Sequence, residues 1–151
     1  MIEAFRTGIY YIGITVPFYC NDGEGDFLLH QRSSNARDEQ GSWDFGGERV
    51  EISDDSIESA VLRGVMEEWG VSGEIQEQLP PHLIKRKIKG TQTVWLAVPH
   101  FIKLNIRSAR IMEPHKFSQM GIFRLDSLPT PLHSGVQFTM NRYPERFERY
   151  R

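Results

Sequence analysis

The sequence predicts an α+β fold: a single domain in which a β-sheet is flanked by helices. Three observations carry this. One segment, Ile57 to Gly70, has the apolar spacing of an amphipathic helix, with Ile57, Ala60, Val61 and Val65 on one stripe. Runs rich in β-branched and aromatic residues stand on both sides of it. At 151 residues, 39% of them hydrophobic, the chain is long enough for one substantial core.

In chain order, Thr7 to Tyr19 (TGIYYIGITVPFY) predicts a long strand, with Gly13 at a bulge and Pro17 at a strand end or edge. NDGEGD at 21–26 is a turn whose Asp22-Gly23 pair suggests a hairpin. Phe27 to Arg32 reads as a short buried strand, and Ser33 to Ser42 as a polar loop. Before the helix, Asp55 is placed to cap it, with Glu58 completing a capping-box pattern. Gly70 ends it in a left-handed conformation. Strands follow at 72–77 and 83–89, then from Thr91 to Asn105 with an interruption at Pro99. Lys85, Arg86, Lys87 and Lys89 fit a charged, exposed sheet edge. The C-terminal 132–150 reads as one helix or two short ones broken at Pro144, with Phe138, Tyr143 and Phe147 on the sheet.

Composition narrows the function. A net charge of −2 gives no basic footprint for duplex nucleic acid. A single cysteine, Cys20, excludes an internal disulfide framework and a cysteine-based zinc cluster, and fits a reducing cytoplasm. The N-terminus MIEAFRTG has an early acid and no apolar run, so no secretory leader is expected, and no apolar stretch reaches the roughly 18 residues of a membrane span.

The helix end is the chemical signal. Glu67 and Glu68 sit in the last turn, where the helix dipole disfavours carboxylates and the two repel each other. A divalent cation would remove both costs, and oxygen donors suit Mg²⁺ or Mn²⁺. Arg63 lies one turn before Glu67, at ion-pair spacing. The plainer alternative is a solvated acidic helix end. Gly64, in mid-helix, costs about 1 kcal/mol relative to alanine. It marks either close packing against a strand or room for a ligand.

Arg63, Val65, Glu67, Glu68, Gly70 and Val71 resemble, in register, the second half of the Nudix box, G-x5-E-x7-R-E-U-x-E-E-x-G-U, and Trp43, Phe45 and Gly47 resemble its entry. The box spans approximately 47–71. Met112 to Pro129 resembles the downstream E-P-x-K…W-x-x-L-D-x-L-P segment of the MutT-like Nudix hydrolases, with Phe123 as the aromatic. The resemblance implies one domain over 1–151, with a mixed sheet sandwiched between helices (α/β/α). It also implies metal-dependent hydrolysis of a nucleoside diphosphate derivative by water attacking phosphorus. Glu67, Glu68 and the Gly47 carbonyl would hold Mg²⁺ or Mn²⁺, Arg63 would orient the pair, and Arg32 and Gly47 would contact substrate. Apart from the resemblance, Trp95, His100 and Phe101 are candidate base-stacking groups, and the plainer alternative is that they are core aromatics. Many relatives dimerise, so a homodimer is consistent with the resemblance. Two departures stand out. Gly64 replaces a Glu that holds metal or activates water. Gly47 to Arg63 is two residues longer than the pattern, so the mid-box acid falls on Asp55. Glu113, His115 or Glu48 would then have to compensate. The alternative is a Nudix-fold nucleotide-binding module impaired by Gly64.

Overall fold

The computed structural model describes residues 7–151. Most of the N-terminal stretch read above for a leader lies outside them. Strand β1 (Gly13–Asn21) is the axis of a nine-stranded mixed sheet. The other strands are β2 (Phe27–Arg32), β3 (Trp43–Asp44), β4 (Gly47–Arg49), β5 (Glu74–Gln78), β6 (His82–Ile88), β7 (Thr91–Ala97), β8 (His100–Lys103) and β9 (Phe117–Phe123). The first half of β1 pairs in parallel with β7, Gly13 to Thr15 against Trp95 to Ala97. Its second half pairs in parallel with β8, Phe18 to Asn21 against His100 to Lys103. Pro17 and Pro99 both fall at this change of partner. A residue without an N–H is best placed where the ladder is already interrupted. Pro17 therefore does not end the strand as expected; it sits where the strand exchanges one neighbour for another.

Gly13 forms no bulge. The Trp95 ring takes the place of a side chain there: a Cβ on Gly13 would lie 2.3 Å from Cζ3 of Trp95. The strand also starts later than Thr7, which lies in an isolated bridge with Tyr11. The 22–26 turn closes the β1–β2 hairpin, with Asn21 opposite Phe27. Strand β9 was not expected. It pairs along the whole of β2, from Phe27 opposite Phe123 to Arg32 opposite Phe117.

Helix α1 (Ile57–Trp69) covers one face of the sheet. Its Ala60, Val61, Val65 and Trp69 pack with Val16, Phe18, Cys20 and Leu28. The opposite face carries Tyr19, Phe27, Leu29, Phe45 and Phe101, covered by α2 (Ser134–Arg142) and α3 (Pro144–Glu148) through Val136 and Phe147. Alternation along β1 sends Phe18 and Cys20 to one core and Tyr19 to the other. The result is the α/β/α arrangement. Phe147 is buried and Tyr143 half-buried as expected, but Phe138 is 43% exposed, with its ring stacked on His82 of β6. Ile9, Tyr10 and Ile12 form an exposed apolar run that the sequence did not single out. No helix among the described residues is long and apolar enough to cross a membrane.

The cap of α1 is Ser56, not Asp55. The Ser56 hydroxyl accepts from the Ser59 amide at 3.0 Å, and Ser59 Oγ accepts in return from the Ser56 amide at 3.0 Å. Asp55 precedes the cap and is exposed. At the other end Gly70 adopts φ 72° and donates to the Met66 carbonyl, as expected. Replacing Ser56 by Ala should lower stability by about 1 kcal/mol in urea denaturation, and Asp55→Ala should leave it unchanged. The reverse order would place the cap at Asp55.

Candidate active site

A cavity of about 630 Å³ opens beside β4 and the C-terminal end of α1. That volume suits a nucleotide-sized ligand. Its walls bring together Arg32, Gly47, Glu48, Glu68, Trp95 and His115 from five separate segments. Arg63, Glu67 and Glu113 stand outside its lining. The packing of α1 is what places the acids. With its apolar stripe fixed on β1, the helix turns Glu68 inward and leaves Glu67 on the exposed side.

Glu68 is 5% exposed, and its Oε1 accepts no hydrogen bond. The nearest basic group is His30 Nε2, at 3.5 Å. Burial pushes the Glu68 carboxyl well above the ordinary carboxylate range, and the charges of Asp44, Glu48 and Glu113 push it the same way, against a backbone hydrogen bond from Gly47. A buried carboxylate with an orphaned oxygen beside other acids offers an all-oxygen donor set that fits a hard divalent cation.

His30 and Asp44 escaped the sequence reading. His30 is stacked between Trp69 and Phe117, with ring centroids 4.7 and 3.5 Å away, and its Nε2 lies 2.6 Å from Asp44 Oδ1. Burial alone would raise the Asp44 carboxyl, but His30, then His133 and Arg32, hold it below its usual range. A polar residue inside the apolar run FLLHQR was the available signal.

Arg32 lines the cavity with its guanidinium already engaged. It donates to the Asp38 carbonyl at 2.9 Å and to Asp38 Oδ1 at 2.6 Å, and it faces Asp44 Oδ2 at 3.4 Å. It is a bracket between the 33–42 loop and β3. Trp95 forms part of the wall, half-buried, with Gly8 and Gly13 against its ring. His100 and Phe101, the other aromatic candidates of that stretch, are buried in the core.

Arg86 departs from the charged edge expected for β6. Lys85 and Lys87 are exposed, but Arg86 turns inward to Glu39 and to Asp38 at 3.1 Å. Asp38, Glu39 and His133 are the one trio among the described residues whose ligand atoms all lie within 4.8 Å. Arg86 and the Ser134 amide already neutralise it, and the hydrogen bonds from His133 and Ser134 outweigh burial to hold Glu39 low. It is a strut fastening the loop to β6 and α2.

Arg63 is a clamp. It grips Asp54 with two 2.8 Å hydrogen bonds, donates to the Arg49 carbonyl at 2.9 Å, and reaches Glu67 Oε2 at 3.2 Å. The acid that answers Arg63 is thus Asp54 rather than Asp55, and the longer 48–54 segment is folded onto the helix through it. Glu113 is half-buried and pairs with Lys116 at 2.9 Å, while His115 is exposed on the rim. Gly64 is buried against β4: a Cβ there would lie 2.7 Å from the Glu48 Cβ and 3.0 Å from Phe18 Cε1. Of its two sequence readings, close packing is the one observed.

A family model described as NUDIX domain matches residues 12–141. The chain belongs to the NUDIX domain family, the class of pyrophosphohydrolases that act on nucleoside diphosphate derivatives. Among solved structures, it resembles the MutT NUDIX hydrolase from Burkholderia pseudomallei at 23% identity and TM-score 0.71, over 87% of this chain and 97% of that one. It also resembles the NUDIX domain of Shewanella oneidensis NrtR complexed with ADP ribose, at 23% identity and TM-score 0.67 over 95% and 91%. A UDP-X diphosphatase matches at 15% identity and TM-score 0.65 over 99% and 69%. No curated protein matches the sequence significantly.

Two expectations follow from the clamp and the packed glycine. Hydrogen bonds from Arg63 and from the Glu51 amide lower the Asp54 carboxyl from 3.8 to about 2. A value lower in the folded chain stabilises it above about pH 4 and is lost as pH falls towards 2. Asp54→Asn should therefore flatten the loss of stability across that window in acid denaturation. Gly64→Ala should destabilise by about 1–3 kcal/mol despite the better helix propensity, because it overpacks the contact with Glu48. A stabilised variant in chemical denaturation would contradict that contact.

Proposed function

We propose that the protein is a divalent-metal-dependent hydrolase of nucleoside diphosphate derivatives carrying a sugar or similar group. The observation that supports this best is Glu68: a buried carboxylate with an orphaned oxygen on the wall of a nucleotide-sized cavity. Glu68, Glu67 and the Gly47 carbonyl are the proposed holders of Mg²⁺ or Mn²⁺. The ion, when bound, neutralises phosphate charge and acidifies water.

The chain's own residues do the rest. Arg63 fixes the orientation of Glu67 while tying down the loop that precedes the helix. Arg37 and Arg49 on the rim, both exposed, present cations to the phosphates, with the remaining N–H groups of Arg32 behind them. Trp95 offers an aromatic wall for the nucleoside. Glu48, Glu113 and His115 are the groups available to take a proton from water, since position 64 has no side chain. The structural neighbours, a NUDIX domain complexed with ADP ribose and a UDP-X diphosphatase, guide the substrate class, and the single buried cysteine suits a cytoplasmic setting. A homodimer would have the Ile9–Ile12 surface to bury.

Gly64 favours a second reading, a binding module that retains nucleotide without turnover. Hydrolysis of ADP-ribose, nucleotide sugars, dinucleoside polyphosphates and dNTPs with Mg²⁺ or Mn²⁺ separates the two. The hydrolase reading expects metal-dependent turnover that falls about 10²-fold or more in Glu68→Gln. Thermal stabilisation by a nucleotide with no turnover on any of them would select the binding module.

A further inference from the structure

Glu48, named above only as a group that could take a proton from water, has a placement on β4 that this role does not account for. It is half-buried on β4, directly across from Gly64 on α1. Its Cβ and Cγ would lie 2.7 and 3.3 Å from a Cβ at position 64, so they occupy the space a side chain on the helix would take. Its Oε1 accepts from the neighbouring Arg49 amide at 2.9 Å. Among the described residues no basic side chain forms an ion pair with it, and its other oxygen accepts no hydrogen bond. It faces the same buried Glu68 whose Oε1 lacks a hydrogen-bond donor.

Carboxylates are costly to bring together at a partly buried position. Glycine and glutamate occur here as a spatial pair. The strand carries the carboxylate, and the helix carries the residue that makes room for it. We infer that Glu48 supplies, from strand β4, the third carboxylate of a divalent-cation site with Glu67 and Glu68, in place of one carried by residue 64. The inference rests on the metal-dependent reading above. It changes the meaning of Gly64, which becomes the space that Glu48 needs rather than a missing function.

Mn²⁺ binding to the full-length protein tests this without any substrate, by following the loss of the free-ion electron paramagnetic resonance signal. Glu48→Gln keeps the shape and removes the charge, and its thermal unfolding should match the wild type. Its affinity for Mn²⁺ should fall about tenfold or more, as it should in Glu68→Gln. The exchange Glu48→Gly with Gly64→Glu returns a carboxylate to the same space from the helix side and should recover most of the affinity. Wild-type binding in Glu48→Gln, with binding lost in Glu68→Gln, would overturn this inference and leave the metal-dependent reading intact. So would a folded exchange variant that binds no better than Glu48→Gln. A wild-type protein that takes up no Mn²⁺ would overturn both.

Discussion

The packing of α1 on β1 is the constraint on which the site depends. Ala60, Val61, Val65 and Trp69 are all fully buried against Val16, Phe18, Cys20 and Leu28, and this fixes the rotation of the helix. A helix held in one rotation has no freedom over where its remaining residues point. Glu68, three residues after Val65 and one before Trp69, must enter the interface with them. The apolar stripe therefore supplies the free energy that holds a carboxylate where water would otherwise solvate it. This explains how an acid with an orphaned oxygen persists in a stable fold.

Around that centre, three arginines fix the chain segments that have little apolar surface of their own. Arg63 fastens the 48–54 segment through Asp54, Arg32 fastens the 33–42 loop through Asp38, and Arg86 fastens the same loop to β6 through Asp38 and Glu39. Polar loops at a cavity mouth cannot be held by hydrophobic burial, so charge-assisted hydrogen bonds take that role. The consequence for function is that most cations near the cavity are engaged by the protein's own acids. Arg37 and Arg49 are left exposed at the rim.

The sheet shows the same division between local and distant causes. The hairpin at 22–26, the break at Pro99, the strand 27–32, the helix end at Gly70 and the split of the C-terminal helices at Pro144 were legible because each is set by residues within a few positions. Strand β9 was not, because FSQMGIF has only an irregular alternation and becomes a strand by pairing with β2. The cap moved from Asp55 to Ser56 for a similar reason: Asp54 is drawn to Arg63, nine residues away, and this sets where the chain enters the helix.

By itself the sequence determined the α+β class with a sheet flanked by helices, and the helix with its acidic end, because these depend on periodicity and spacing along single elements. The α/β/α arrangement and the membership of Arg63, Glu67 and Glu68 in one motif came from the resemblance to the Nudix box. The sequence also showed Gly64 as an anomaly without giving its cause. Tertiary structure alone decided that Glu68 is buried while Glu67 is exposed, that His30 and Asp44 lie beside Glu68, that Arg32 is bound to Asp38, and that Glu48 fills the space over Gly64. These are meetings of residues from different strands and loops. No one-dimensional spacing encodes them, because the distance between two side chains across a sheet is set by register and packing.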